Sequence, residues 1–290
     1  MAPKKLTSMM FIIMITMIVS PQTFAQEKLD KAQYKFYYEQ LWQFDTLKNN
    51  DTREDLIILQ VGPDISKSYS YYSFQSDSLR ATPDGREIFR KSLRKAIDEA
   101  AVRGEIPRNL PYGKRMKTKV YKNHPEGKMT VTDGISTHYY IYVDELNSQS
   151  WHITDSTKTI LDYSCQMAVS DFRGRRWIAW FASDIPVSDG PWKLSGLPGL
   201  IMEAYDTEKH YHFTIVGIEQ VEDEPIVFSP VVLQSGSLGK HEETTRIDFY
   251  RGLARFMGNR SSYMNAELGR DTFDESTSSV PPHDFLERDY

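Results

Sequence analysis

Residues 119 to 181 decide the fold. Lys119-Val120-Tyr121-Lys122, Met129-Thr130-Val131-Thr132, Thr137-His138-Tyr139-Tyr140-Ile141-Tyr142-Val143, Ser150-Trp151-His152-Ile153-Thr154, Thr159-Ile160-Leu161-Asp162-Tyr163, the run Tyr163 to Val169 around Cys165, and Trp177-Ile178-Ala179-Trp180-Phe181 follow one another closely. Each is rich in β-branched and aromatic residues, which fit a half-buried pleated surface. The spacers are short and turn-forming: Asn123 to Gly127, Asp133-Gly134, Asp144 to Asn147, and Phe172-Arg173-Gly174-Arg175. Parallel strands need a crossover of a dozen residues or more, so these strands must form antiparallel hairpins, a meander. Trp177 and Trp180, three apart on one strand, point to opposite faces, so both faces of that part of the sheet are packed.

Upstream, Tyr34 to Glu39, Asp55 to Val61 (closed by Gly62-Pro63) and Tyr69 to Phe74 read as three more strands. The period then changes. Phe89, Leu93, Ile97 and Ala101 recur every four residues, with Ile88 beside them, which predicts an amphipathic helix over 83–103. Thr82 is placed to cap it, Pro83 suits its first position and Gly104 its end. Its Arg90, Lys91, Arg94 and Lys95 form either a solvated face or a dock for an acidic partner. Ile106 to Gly113 is a turn-rich linker. Downstream, Thr245-Arg246-Ile247-Asp248 has the form of a capping box and opens a second helix, with Tyr250, Leu253, Ala254 and Met257 at helical spacing until Gly258. Residues 259–290, rich in Ser, Thr, Asp and Pro, read as a mostly disordered polar tail.

The expected fold class is mainly β (β-rich α+β): one domain over residues 26–258, a single curved antiparallel sheet or open barrel of about ten strands with two covering helices. Composition agrees. The 290 residues are 40% hydrophobic and 12% aromatic, enough for a sizeable core. The formal charge of -5, with no long basic run, argues against nucleic acid as a partner.

Residues 1–25 read as an address. Lys4 and Lys5 precede the apolar run Met9 to Val19, and Thr23 and Ala25 stand three and one positions before a cut ahead of Gln26. The run is short for a membrane span, so the expectation is an exported protein, periplasmic or secreted after cleavage near Ala25, and not integral to a membrane afterwards. Export favours disulfides, yet Cys165 has no partner cysteine in the chain. It reads as a small buried hydrophobe, the alternative being a reactive thiol.

Gly190-Pro191-Trp192-Lys193-Leu194-Ser195-Gly196-Leu197-Pro198-Gly199-Leu200-Ile201 carries the most specific signal in the sequence. Gly196 to Ile201 spell the hexapeptide that names the GLPGLI family of exported Bacteroidetes-type proteins, and the chain resembles that family from about residue 150 to 220. The surrounding order of Asp162 to Ala168, Phe172 to Arg175, Trp177 to Phe181, Ile185-Pro186 and Gly190 to Trp192 is similar to it as well. The resemblance implies an exported, β-rich envelope protein and carries no catalytic residue to transfer. Read physically, the glycines and prolines encode one specific looped path between two strands. Trp192, Leu197, Pro198 and Leu200 then serve either as a plug over the sheet or as the rim of a site for an apolar ligand or extended peptide.

No nucleophile elbow, zinc-protease helix, phosphate loop or calcium loop occurs, so no cofactor is expected. The best polar constellation is Asp206-Thr207-Glu208-Lys209-His210-Tyr211-His212. If Leu200 to Asp206 and His210 to Ile218 pair around a three-residue turn, Asp206 faces His210, and His212 joins the same side. These three could begin a metal site, although a solvated hairpin tip explains them more simply. Glu203 would then lie on the opposite face among Ile201, Tyr205, Phe213 and Ile215. There it acts as a general acid or pairs with one of Arg173, Arg175 and Arg176. The leading expectation is a non-catalytic envelope protein that binds an apolar ligand, a peptide or an outer-membrane or envelope partner through Trp192, Leu197, Pro198, Leu200 and Glu203. The alternative is an unrecognised hydrolase or metal-dependent enzyme using Asp206, His210, His212 or Glu203.

Overall fold

The computed structural model describes residues 27–43, 52–103, 111–233, 235–259 and 284–290. The expected leader, residues 1–25, the expected helix stop at Gly104 and most of the expected tail lie outside them. In chain order the elements are β1 (Lys28–Gln43), β2 (Thr52–Val61), β3 (Ser66–Ser70), α1 (Tyr71–Ala81), α2 (Pro83–Arg103), β4 (Lys119–Lys122), β5 (Lys128–Ile135) and β6 (His138–Glu145). They continue with β7 (His152–Ile160), β8 (Tyr163–Phe172), β9 (Arg175–Ala182), β10 (Leu200–Asp206), β11 (Tyr211–Val227), β12 (Val231–Val232), β13 (Leu238–Gly239), β14 (Glu242–Glu243) and α3 (Arg246–Gly258).

Twelve strands form one sheet, in the order β14-β6-β5-β4-β3-β2-β1-β11-β10-β9-β8-β7. It consists of two antiparallel meanders, β1 to β6 and β7 to β11, welded along a seam where the long strands β1 and β11 pair. Only the β14–β6 pairing is parallel among the described strands. The architecture is therefore mainly β, and the sheet stays open. Its curvature follows from chain length. Twelve strands laid flat would put the outer ones roughly 50 Å apart at the usual strand spacing. Yet β6 ends at Glu145 and β7, the opposite edge of the sheet, starts at His152. Seven residue steps reach at most about 25 Å, so the sheet must curl until its two ends approach.

The concave face is the core. Phe36, Tyr38, Leu59, Val120, Met129, Val131, Tyr142, Ala168, Trp177 and Phe213 point inward from successive strands, and all are buried. The connection between β9 and β10, residues 183–199, turns into this hollow and supplies Trp192, Leu194 and Leu197 to the same cluster. Gly199 makes that path possible, because at its φ of +152° an added Cβ would stand 2.2 Å from the Ala182 carbonyl oxygen.

Two helices are as the sequence predicts, α2 from Pro83 to Arg103 and α3 from Arg246 behind Thr245, whose side chain accepts the Asp248 amide. Three expectations are corrected. Tyr69 to Phe74 is not a strand: Ser70 accepts the Ser73 amide and starts helix α1, so the run breaks after Ser70. Nor is α2 a cover for the sheet. Ile88 and Ile97 are 47% and 48% exposed, and only Gly85 and Ala100 of this helix are buried. Helix α1 lies against β2 and β3 instead. Last, the end of the chain does not behave as a polar tail: Asp284 to Tyr290 dock on the core, burying Leu286 and Glu287, because buried arginines and a lysine await their acidic groups. No helix among the described residues is long and apolar enough to cross a membrane.

Candidate functional site

The 183–199 loop is built around two lysines. Lys122 shares the inner face of β4 with Val120, and its ammonium donates to an Asp189 carboxylate oxygen and to the carbonyls of Gly190 and Leu194, both at 2.7 Å. All three of its protons are used. Lys193, fully buried, donates to Asp144 at 2.7 Å and to Glu287 at 2.5 Å, with the Tyr142 hydroxyl at 3.3 Å. Further bonds tie the loop to β3 and to the connection between β6 and β7: the Trp192 amide to Ser68 Oγ (3.0 Å), the Trp151 indole to the Ser195 carbonyl (2.8 Å) and the Gln149 amide to the Lys193 carbonyl (2.8 Å). Trp192 is held at φ +53°, a left-handed conformation that costs a non-glycine residue about 1 kcal/mol or more. Its ring offsets that cost by packing 5.7 Å from both Phe172 and Trp177.

The loop is thus a plug, and this corrects part of the expected binding set. Trp192, Leu197 and Leu200 are core side chains with at most 3% exposure, committed to packing rather than open to a ligand. Pro198 is exposed at the bend. Glu203 points away from the hollow.

Where the plug stops, the hollow stays open. A cleft of about 720 Å³ lies between the loop's first residues and the inner faces of β1 to β3. Tyr34, Val61, Ile65, Tyr163, Ile185 and Ile218 give it apolar walls, all half-buried. Ser66, Asn123, Asn147, Asp184, Ser188 and Ser195 add hydrogen-bonding groups around them. Its volume and mixed lining are those of a small-molecule site. The side chains come from strands separated by more than a hundred residues, so no local motif announces them.

The β10–β11 hairpin forms with a register shifted by one residue from the expected one: Tyr205 pairs with His212 and Glu203 with Thr214, around a four-residue connection 207–210. One residue of slip reverses every side chain. Asp206 turns inward, where one carboxylate oxygen accepts the Tyr211 amide at 2.7 Å and the other the Arg175 guanidinium at 2.9 Å. His212 turns outward and meets Glu203 at 2.7 Å, with Lys158 on the other Glu203 oxygen and Thr214 Oγ1 at 3.2 Å. Burial, and then the nearby Lys158, holds the His212 imidazole below its ordinary range. Glu203 thus has a lysine and a histidine as partners rather than Arg173, Arg175 or Arg176.

The proposed trio Asp206, His210 and His212 is accordingly not assembled. Asp206, Glu208 and His210 do place ligand atoms within 4.8 Å of one another. That position already belongs to cations, Arg175 on Asp206 and Arg288 on Glu208, while Asp284 binds His210 Nδ1 at 2.5 Å. Against the penalty of burial, hydrogen bonds from Arg288 and Arg175 hold the Asp284 carboxyl at about 2. The arrangement is an ion-pair clasp for the chain terminus. Cys165 is buried, and burial raises its thiol pKa, which makes it a poor nucleophile.

Sequence reasoning missed Lys122, Asp189 and Lys193, and named Arg175 only as a possible partner of Glu203 rather than of Asp206 and Asp284. The one signal was periodicity: Lys122 alternates with Val120 on a strand whose inner face is otherwise apolar.

Residues 173–203 match a family described as a protein of unknown function (Porph_ging). No curated protein matches the chain. Two solved structures of PNGF-II, in different crystal forms, are similar to 77% of this chain at 12% identity, with TM-scores of 0.47 and 0.45. This chain covers 33% and 32% of their length, about a third.

Proposed function

We propose that the protein is an exported, non-catalytic binding protein of the cell envelope, whose ligand is a small amphipathic molecule held in the cleft between the plug loop and strands β1 to β3. The cleft itself is the observation that carries this reading: about 720 Å³ of open space on the concave face, walled by Tyr34, Val61, Ile65, Tyr163, Ile185 and Ile218, beside the buried core cluster. Its walls are rigid because the plug is fixed by Lys122 and Lys193, so little ordering cost is left for binding. Export rests on the leader-like residues 1–25 and on the resemblance carried by Gly196 to Ile201.

Titration with the neutral apolar fluorophore N-phenylnaphthylamine tests the site. Saturable enhancement that falls at least tenfold in affinity in Ile185→Arg, with unchanged near-ultraviolet circular dichroism, is expected. Equal binding by the two proteins would place any apolar site elsewhere and remove this reading.

A further inference from the structure

The outer face of the first meander holds a second cavity, independent of the cleft. It measures about 380 Å³ and opens between α1 and the segment around β12, with Phe74, Ala81, Phe228, Pro230, Val232 and Leu238 as apolar walls. Lys119, Asp77, Ser78 and Ser229 add polar groups to the lining, together with the exposed Glu27.

Lys119 does not have a carboxylate to itself. Asp77 is shared by two lysines, paired with Lys114 and standing 3.5 Å from Lys119. The Asp77, Lys114 and Lys119 side chains are 10–15% exposed, so bulk water does little to screen them. A third lysine lies close by: Lys67 is buried under the same segment, its ammonium on the Val227 carbonyl (3.1 Å) and on Ser229 Oγ (2.9 Å) and above the Tyr69 ring. Two other groups register the field. Burial and then Lys119 depress Lys67 to about 7, and burial and then Lys119 depress His241 to about 4. Asp77 is thus shared by Lys114 and Lys119 beside an apolar cavity, while Glu224 partly offsets the field on Lys67, and a buried cation with only a shared partner is costly.

We infer that this cavity binds a single-chain amphiphile with an anionic head, of the fatty-acid carboxylate class, whose head pairs with Lys119 while its chain lies between Phe74, Phe228 and Leu238. The carboxylate gives Lys119 a partner it does not share, and the chain covers Phe74 and Leu238, which otherwise face water. Ser229 and Ser78 offer hydroxyls to the second head oxygen. The inference does not depend on the occupant of the concave cleft, and it names a different face of the sheet.

Calorimetric titration of the full chain with decanoate and, separately, with decanol provides the test. Wild-type protein is expected to bind decanoate at least tenfold more tightly than decanol. Lys119→Met, which keeps the length of the side chain, should abolish that preference while decanol affinity stays within about twofold. Ser78→Trp, which fills the cavity from an exposed helix position, should remove decanoate binding with the circular dichroism spectrum unchanged. Ile185→Arg, in the other cleft, should leave decanoate affinity intact. Absence of decanoate binding by the wild type, a charge preference that survives Lys119→Met, or loss of decanoate binding in Ile185→Arg alone would each overturn the inference.

Discussion

Lys122→Met removes the ammonium that holds the plug while keeping most of the side-chain volume. Three bonds disappear: to the Asp189 carboxylate, to the Gly190 carbonyl and to the Leu194 carbonyl. Asp189, 7% exposed, is left as an unpaired buried charge that retains only the Gly190 amide at 2.7 Å. Breaking one side of a buried ion pair costs about 3–5 kcal/mol, a large share of the roughly 5–15 kcal/mol that stabilises an ordinary domain. Burial lowers the Lys122 pKa although Asp189 opposes the shift, so desolvation works against the attraction within the pair. It follows that Lys122→Met/Asp189→Asn should be more stable than Lys122→Met alone, by about 1–2 kcal/mol, since the stranded charge is gone. Urea unfolding followed by tryptophan fluorescence reads these differences from the midpoints at constant slope. A single-variant cost below about 1 kcal/mol would refute the anchoring role, and so would a double variant weaker than the single.

Two further outcomes follow from named charges. Asp284 titrates at about 2 in the folded chain against an ordinary 3.8, so its contribution is complete above pH 4 and is lost as pH falls through 2. Asp284→Asn should cost about 2 kcal/mol at pH 6 and progressively less towards pH 3, measured as urea midpoints across that range. Lys67 acts with the same slope at higher pH: its folded pKa of about 7 lies below the ordinary 10.5, so the unfolded chain holds the extra proton and wild-type stability rises between pH 7 and 9. Lys67→Met should flatten that rise and raise the melting temperature at pH 7, and a pH profile parallel to wild type would count against the assignment.

The parts of the fold that were legible in the sequence are those set by local chemistry. Short spacers between β-forming runs required antiparallel pairing, Thr82-Pro83 marked the start of α2, and Thr245 with Asp248 marked that of α3. Legibility failed where distant groups decide. The hairpin register turned on Arg175, a buried cation thirty-one positions from Asp206 that draws this carboxylate inward and so sends His212 out. The docking of Asp284 to Tyr290 depends on Arg175 and Lys193, which no pattern within the terminal segment reveals. Tyr69 to Phe74 alternates like a strand, yet Ser70 bonds the Ser73 amide and Asp55 and converts the period to that of a helix. The candidate cleft was invisible for the same reason, since its walls come from β1, β2, β8, β11 and the loop preceding β10. The plug, by contrast, was half legible: the glycines and prolines of 190–199 foretold a fixed path, while only the buried lysines explain where it goes.

The central claim, that the concave cleft holds a small amphipathic ligand, is tested most directly by native mass spectrometry of the chain recovered from the cell envelope of its host. With the outer cavity filled by Ser78→Trp in both proteins, the account predicts excess mass that is released on denaturation and is absent when Ile185→Arg is added. A bare chain mass for Ser78→Trp alone, or the same adduct on both proteins, would contradict it.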